Sequence, residues 1–198
     1  MSIQLVLASG SPRRRDVLRQ LGLKHTVRVA DVDESYLPGE TPKAHVERLA
    51  RAKADAVAWE FPESLVIGGD TVVLDGGRVL GKPKHEEEAV SMLLSLAGGT
   101  HSVLSGLALV GPGGTVSAVD ETRVRLRAFG EGEARRYTET AEPLDKAGAY
   151  GIQGLGAALV EGLDGDYYSV VGFPVGTFIG LLQRAGWRYD FGALQRRD

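Results

Sequence analysis

Stretches with the apolar pattern of strands alternate with stretches that have the periodicity of helices through the first hundred residues. Ile3 to Ala8 is an apolar run suited to a buried strand. Ser11-Pro12 then supplies an N-cap and a first-turn proline for a helix ending at Gly22. A second helix is predicted from Pro42 to about Phe61, because apolar side chains recur along one face. The alternation predicts an α/β fold, and without an internal repeat or long linker we expect residues 1–198 to form one domain.

Turn signals and strand alternation predict the remaining elements. Asp75-Gly76-Gly77 predicts a hairpin turn, and Gly98-Gly99 predicts the end of a helix that begins with three glutamates. The predicted strands are 65–67, 71–74, 78–80, 101–110 and 115–126, and the predicted helices begin near 86, 132 and 174. The glycine-rich stretch 146–174 contains interspersed aromatic and β-branched residues, which predicts strands joined by tight turns.

Composition and charge exclude several classes of partner. The formal net charge of -3 gives no general attraction to a nucleic acid polymer or an anionic membrane, so phosphate binding requires a local cluster of cations. The absence of cysteine excludes disulfides, thiolate nucleophiles and cysteine zinc sites. No signal-peptide pattern and no apolar run of membrane-spanning length occur, so we expect a cytoplasmic protein without a membrane partner.

The first candidate site is the segment LASGSPRRRDVL, where a buried strand, a turn of small residues and a helix N-terminus carry Arg13 and Arg14. Free backbone amides at a helix start favour an anion, and a guanidinium can bind two phosphate oxygens at once. The segment therefore has the pattern of a triphosphate site. An ordinary strand-to-helix turn with solvated arginines explains the local pattern equally well.

Lys53 is the second candidate, because it lies within the apolar face of the predicted second helix rather than opposite it. A lysine at such a position either extends its ammonium past the edge of the core or reaches into a cleft and meets an anion. The first alternative is the commoner one.

Charged residues at the ends of the predicted hairpin give further candidates. Asp70 follows two glycines at the start of an apolar strand, where a carboxylate requires a cation, a metal or hydrogen-bond donors. Lys82 follows the returning strand, so a folded hairpin places it near the sheet end that carries Asp70. Asp33 and Glu34 add carboxylates for a divalent ion. The structural alternatives are a turn-capping aspartate, a solvated turn lysine and a solvated acidic loop.

Other catalytic patterns are missing from the sequence. The four histidines have no paired metal spacing, and the serines lack the context of a nucleophile elbow. Neither a Walker motif nor a dinucleotide-binding glycine fingerprint occurs. These observations disfavour a serine hydrolase and a zinc enzyme.

Four segments occur in order across nearly the whole chain: LASGSPRR, RLARAKADAV, GGDTVVLDGGRVLGKP and EPLDKAGAYGIQGLG. Together they resemble the Maf-like nucleotide pyrophosphatases. The resemblance implies an elongated α/β fold with a mixed sheet flanked by helices and a cleft between two lobes, similar to the inosine triphosphate pyrophosphatases. It also implies dependence on a divalent metal such as Mg, Mn or Co, and in many members a homodimer.

The resemblance assigns roles to residues by motif. The family's phosphate-binding, cationic and acidic site positions correspond to Ser9, Arg13, Arg14, Lys53, Lys82, Glu34 and Asp70. Asp70 corresponds to the proton acceptor, and we expect Asp70 with Glu34 to hold the metal. A role in the site also explains a lysine at position 53, which packing alone leaves awkward.

Gln153 separates subgroups of the family. The segment GIQG resembles the dTTP and UTP pyrophosphatases, whereas a glutamate there accompanies activity on 7-methyl-GTP. An amide offers both a donor and an acceptor to the edge of uracil or thymine. Arg13 and Thr71 match the other positions linked to substrate choice. Gly69 stands where relatives commonly have alanine, and this departure removes no reactive group.

The sequence therefore predicts a nucleoside triphosphate pyrophosphatase that cuts dTTP, UTP or modified pyrimidine nucleotides by attack of water on the α-phosphorus. Two alternatives remain open. One is a house-cleaning enzyme for non-canonical purine nucleotides, against which Gln153 argues. The other is a nucleotide-binding regulator of septum formation that does not cut its ligand, and for which the carboxylate of Asp70 has no evident use.

Overall fold

The computed structural model describes residues 3–197, and Met1, Ser2 and Asp198, which the single-domain prediction includes, lie outside the described residues. The strands are β1 (Leu5–Leu7), β2 (Thr26–Val27), β3 (Leu65–Asp75), β4 (Arg78–Leu80), β5 (Thr100–Gly111), β6 (Gly114–Leu126), β7 (Val160–Asp164), β8 (Trp187–Tyr189) and β9 (Leu194–Arg196). The helices are α1 (Pro12–Gln20), α2 (Pro42–Ala58), α3 (Glu86–Leu96), α4 (Glu131–Thr138), α5 (Tyr167–Val171) and α6 (Val175–Arg184).

Within these residues the main sheet has seven strands, with hydrogen-bonded neighbours in the order β2-β1-β3-β5-β6-β7 and with β4 paired to β3. The pairings of β1 with β2 and β3 are parallel, whereas β3 with β4 and β6 with β7 are antiparallel. Strands β8 and β9 form a separate sheet. A mixed sheet flanked by helices confirms the predicted α/β class.

The predicted starts of helices α1 and α2 are confirmed, and both have side-chain caps. Ser11 accepts a hydrogen bond from the backbone N–H of Arg14 at 3.4 Å, and Thr41 accepts one from Ala44 at 3.2 Å. A proline follows each cap in the first turn, where its missing N–H leaves no helical bond unmade. The caps and prolines fix where both helices begin.

Two local predictions need correction. The predicted strands 65–67 and 71–74 are one continuous strand, β3, because Gly68, Gly69 and Asp70 keep extended backbone between them. The glycine-rich stretch 146–174 contains one strand, β7, and otherwise consists of 3-10 turns at Ala147–Ala149 and Gly154–Leu159 and the short helix α5. Positive φ angles at Gly148 and Gly154 explain the difference, since they bend the chain away from a strand path.

The chain divides into two compact units. The first consists of the described residues of Met1–Asp70, Ser105–Asp120 and Gly172–Asp198. The second consists of Thr71–Leu104 and Glu121–Val171. No helix among the described residues is long and apolar enough to cross a membrane.

In the first unit, helix α2 packs with its backbone directly against the sheet. A Cβ atom at Gly68 would lie 2.0 Å from the carbonyl oxygen of Ala50 and 2.7 Å from the nitrogen of Ala54. A Cβ at Gly106 would lie 2.4 Å from the carbonyl oxygen of Val46. These contacts are far inside van der Waals distance, so only glycine permits this approach on both β3 and β5.

In the second unit, the last residues of strand β6 alternate between a buried and an exposed face. Thr122, Val124 and Leu126 are fully buried, whereas Arg123 and Arg125 are exposed. The buried face belongs to a hydrophobic core to which several helices and strands of this unit contribute. Its other members include Val73, Leu80, Val90, Leu93, Leu96, Val103, Ala134, Tyr137 and Leu159. One face of this strand therefore contacts solvent.

His101 is buried in this unit, with 3% of its surface exposed. Its Nε2 lies 2.8 Å from the hydroxyl oxygen of Tyr150, while Nδ1 has no hydrogen-bond partner among the described residues. Burial lowers the pKa of His101 to about 4, against a smaller opposing effect of Asp75. The imidazole is therefore neutral at pH 7.

We predict that replacing Gly68 with alanine destabilises the protein by roughly 1–3 kcal/mol or more, because the added methyl group meets helix backbone rather than a flexible side chain. Urea unfolding measures the change. Gly113→Ala is the matched control, since a Cβ there meets nothing within 4 Å. Equal stability of the two variants would show that α2 can move away from β3 at little cost.

We also predict that the free energy of unfolding falls as the pH is lowered from 6.5 towards 4. In this range the unfolded chain protonates His101 and the folded chain does not, so the contribution is full above the ordinary pKa of 6.5 and lost near 4. The loss is roughly 3 kcal/mol at most. Urea unfolding across this range should show a shallower slope for His101→Gln, and an unchanged slope would assign the effect to other groups.

Candidate active site

Lys53 connects two carboxylates in the first unit. Its Nζ donates to Asp70 Oδ1 at 2.8 Å and lies 2.6 Å from Glu34 Oε1. Lys53 and Asp70 are each 9% exposed, whereas the side chain of Glu34 is 61% exposed. Lys53 therefore does meet an anion, and the anions within reach are those of the protein itself.

The position of Lys53 follows from the close packing of α2 described above. Its neighbours Leu49, Ala50, Ala54 and Val57 are buried against the sheet, so the lysine starts from the same face. Its ammonium meets Asp70 at the middle of β3. A buried cation without a partner is costly, and the two carboxylates supply the partners.

Arg14 and Ser9 form a second connected pair in this unit. Arg14 Nη1 donates to Ser9 Oγ at 3.1 Å, and Arg14 Nε donates to the carbonyl oxygen of Gly172 at 2.9 Å. Burial lowers the pKa of Arg14, and the nearby charges of Asp70 and Glu34 oppose this effect. The alternative of a solvated arginine is therefore wrong for Arg14.

Gly69 provides space for this arginine. A Cβ at Gly69 would lie 3.2 Å from Arg14 Nε and 3.1 Å from a methyl group of Leu107. Its φ angle is not in the left-handed region. Glycine at this position therefore contributes room beside the guanidinium rather than unusual backbone conformation.

The loop that carries Glu34 is held by residues that the sequence reasoning missed. Glu40 accepts hydrogen bonds from Arg48 Nε at 2.6 Å and from Arg48 Nη2 at 2.8 Å. Arg48 Nη2 also donates to the backbone carbonyl of Ser35 at 2.9 Å. Glu40 further accepts from the backbone N–H of Leu37 at 3.1 Å. The pair therefore fixes the backbone immediately after Glu34.

An aromatic stack supports the same loop. The rings of Tyr36 and His45 are parallel, with centroids 3.5 Å apart, and His45 Nδ1 lies 3.0 Å from Glu40 Oε2. The hydrogen bonds from Arg48, with a smaller effect of His45, lower the pKa of Glu40 to about 2 despite its desolvation. The sequence analysis missed Glu40, which precedes α2, and Arg48, which lies on the second turn of that helix. Only the folded loop brings these two residues into contact.

The other predicted site residues have the following positions. Arg13 is partly buried in the first turn of α1, in the same unit as Asp70. Thr71, Lys82 and Gln153 belong to the second unit, where Lys82 is exposed and the other two are partly exposed. The structure thus brings Ser9, Arg14, Glu34, Lys53 and Asp70 together in one unit. A shared site with Thr71, Lys82 and Gln153 stays a prediction.

The Maf-like protein family matches residues 4–185. The chain belongs to this family. A dTTP/UTP pyrophosphatase of Myxococcus xanthus (strain DK1622) is 50% identical over 188 residues, covering 93% of this chain and 95% of that protein. One of Anaeromyxobacter sp. (strain Fw109-5) is 49% identical over 191 residues, covering 94% and 91%. The resemblance that the four motifs indicated is confirmed.

One solved structure, the Ham1 protein of Staphylococcus aureus, is similar to the Maf-like chain with a TM-score of 0.45 at 18% identity. The match covers 62% of this chain and 71% of that chain.

For this Maf-like chain we predict that Arg48→Met loosens the loop around Glu34, because the carbonyl of Ser35 and the carboxylate of Glu40 lose their common donor. Hydrogen exchange at Leu37 should accelerate about ten-fold or more. Arg51→Met, an exposed arginine one turn further along α2, is the matched control and should leave the rate unchanged. Equal rates in both variants would show that Arg48 does not hold the loop.

Proposed function

We propose that this Maf-like protein hydrolyses dTTP and UTP to the monophosphate and pyrophosphate by attack of water on the α-phosphorus. The observation that carries the proposal is the contact of Lys53 with Asp70 and Glu34, close to the buried guanidinium of Arg14. Relatives named dTTP/UTP pyrophosphatase that are 43–50% identical over nearly the whole chain support the choice of substrate.

The cations would act on the triphosphate. Lys53 is a point charge with three donors, and an incoming phosphate would compete with the carboxylates for it. Arg13 and Lys82 would add charge, and Arg14 with Ser9 would shape the turn ahead of α1. Spreading cations over the phosphate oxygens stabilises the charge that develops as pyrophosphate leaves.

Asp70 is the residue for activating water in this proposal. Its carboxylate is buried and accepts a hydrogen bond from the Lys53 ammonium, and in this proposal it accepts a proton from the water or orients the water by hydrogen bonding. A carboxylate bound directly to a metal is a poor base, so in this proposal Asp70 acts as the base and helps to hold the metal through a metal-bound water. The resemblance to the family favours the base.

A divalent cation fits the residues present. Asp70 and Glu34 offer hard oxygen ligands that converge on one Lys53 ammonium, a place where positive charge is already stabilised. No cluster of three or more histidine, aspartate or glutamate side chains able to hold a metal occurs among the described residues. One or two carboxylates completed by substrate phosphates is the usual Mg²⁺ arrangement. Bound Mg, Mn or Co would neutralise phosphate charge, with Asp70 and Glu34 as the protein residues that hold it.

Gln153 is the residue proposed to choose the base, because its amide matches the donor and acceptor of a uracil or thymine edge. The alternative of a pyrophosphatase for non-canonical purines uses the same phosphate residues with another base preference. The alternative of a non-cutting regulator of septum formation needs no activated water. We further propose a cytoplasmic location and a homodimer, which size-exclusion chromatography with light scattering tests.

We predict that Asp70→Asn lowers kcat for pyrophosphate release at least 100-fold while nucleotide binding persists, because the amide cannot accept the proton. Asp55→Asn, on the exposed face of α2, is the matched control and should stay within two-fold of the parent. The assay uses dTTP, UTP, GTP, ITP and 7-methyl-GTP. Faster turnover of purines would favour the purine alternative, and binding without cleavage would favour the regulator.

We predict that chelation abolishes pyrophosphate release and that Mg, Mn or Co restores it. Glu34→Gln should raise the metal concentration needed for half-maximal rate by about ten-fold, since it removes one of two anionic ligands. Direct Mn²⁺ binding in the presence of a non-hydrolysable nucleotide, followed by electron paramagnetic resonance, gives a readout independent of turnover. Activity that survives chelation would rule out the metal.

A further inference from the structure

The segment Gly151–Gly156, GIQGLG, folds around two side chains of the second unit, Tyr137 and Glu142. The hydroxyl of Tyr137 accepts a hydrogen bond from the backbone N–H of Gly151 at 3.2 Å. Glu142 accepts from the N–H of Leu155 at 2.9 Å through Oε2 and from that of Gly156 at 3.0 Å through Oε1. The Tyr137 hydroxyl also donates to Glu142 Oε1 at 2.8 Å. We call these two side chains the clasp.

The glycines of the segment are required by the clasp. A Cβ at Gly154 would lie 2.7 Å from Glu142 Oε2, and the φ angle of +66° disfavours other residues there. A Cβ at Gly156 would lie 2.3 Å from the Tyr137 hydroxyl oxygen. Glycine therefore occurs at the two positions where a side chain would displace Glu142 or Tyr137. Both glycines are needed for the segment to bind to the clasp.

Gln153 lies in the middle of the held segment. The backbone N–H groups of Gly151 and Leu155, two residues before and two residues after Gln153, both bond to the clasp. Its own side chain is partly exposed and makes no hydrogen bond to another described residue. The clasp therefore sets the position of the Gln153 backbone while the amide stays available to a ligand.

The charge state of the clasp suits this task. Burial acts to raise the pKa of Glu142, but the hydrogen bonds from Gly156 and Leu155, together with Tyr137, hold it below its ordinary value. Burial and the bond to Glu142 raise the pKa of Tyr137. At neutral pH the clasp is a carboxylate and a neutral phenol, which matches the direction of every hydrogen bond described.

We propose that Tyr137 and Glu142 are positioning residues for base selection, acting through the held segment on Gln153. The proposal rests on the proposed function and on the role of Gln153 within it. A held backbone limits the positions from which the Gln153 amide presents its donor and acceptor, which suits a pyrimidine edge and disfavours a purine. An amide on a loosened segment loses this preference, so discrimination falls before turnover does.

The test compares kcat/KM for UTP and GTP in Glu142→Gln and Tyr137→Phe. Both variants keep the shape of the side chain and remove part of the clasp. We expect the UTP to GTP ratio to fall about ten-fold, because a site loses discrimination when its polar groups are no longer held in place. Glu139→Gln, at an exposed glutamate directly after α4, is the matched control and should keep the ratio of the parent.

A double-mutant cycle separates positioning from general structural damage. In a Gln153→Ala background, Glu142→Gln should leave the UTP to GTP ratio unchanged, because the residue it acts through is gone. Equal losses in both backgrounds, or losses shared equally by the two substrates, would overturn the proposal. If Glu142→Gln does not fold, Tyr137→Phe, which removes only a hydroxyl group, decides the question.

Binding measurements keep the proposal distinct from the proposed function. The ratio of Kd values for UTP and GTP, measured by calorimetry on the same variants with chelator present, does not depend on cleavage. A parent protein that binds both nucleotides and cuts neither would refute the proposed function, and the Kd ratio would still test the clasp. A parent that cuts UTP, with variants of unchanged ratio, would refute the clasp alone.

Discussion

The direct contact between the backbone of helix α2 and strand β3 is the constraint on which the candidate active site depends. Gly68 lets the helix approach until a single added carbon would meet Ala50 at 2.0 Å. This approach turns the lysine of the apolar face towards Asp70, one strand position after Gly69. A helix held further out would leave Lys53 and Asp70 each buried without a partner, which is unfavourable for both. The contact of α2 with Gly68 therefore determines both how the helix packs on the sheet and which carboxylate Lys53 meets.

In both units, charged side chains form hydrogen bonds with backbone groups of a loop. In the first unit, Arg48 and Glu40 hold the loop next to Glu34 through the carbonyl of Ser35 and the N–H of Leu37. In the second unit, the clasp holds the segment that carries Gln153. Neither network needs to touch a ligand. Each holds in place a loop that would otherwise sample many conformations, and each loop carries one polar side chain that is at least partly exposed.

The sequence predicted elements well where local signals are strong. The Ser11 cap and Pro12 predicted the start of α1, apolar periodicity from Pro42 predicted α2, and Asp75-Gly76-Gly77 predicted the turn between β3 and β4. It failed in the stretch 146–174, because glycines there serve contacts with Tyr137 and Glu142 that are distant in sequence. Turn propensity alone does not distinguish 3-10 turns from short strands.

For the site, the sequence by itself determined the family, through four ordered motifs, and it identified Lys53 as a cation on an apolar face. Tertiary structure decided what that lysine contacts, that Arg14 is buried rather than solvated, and that Arg48 and Glu40 support the loop of Glu34. The reason is physical: hydrophobic periodicity and capping are read from neighbours a few residues apart, whereas hydrogen-bond partners across a core depend on how closely the backbones approach.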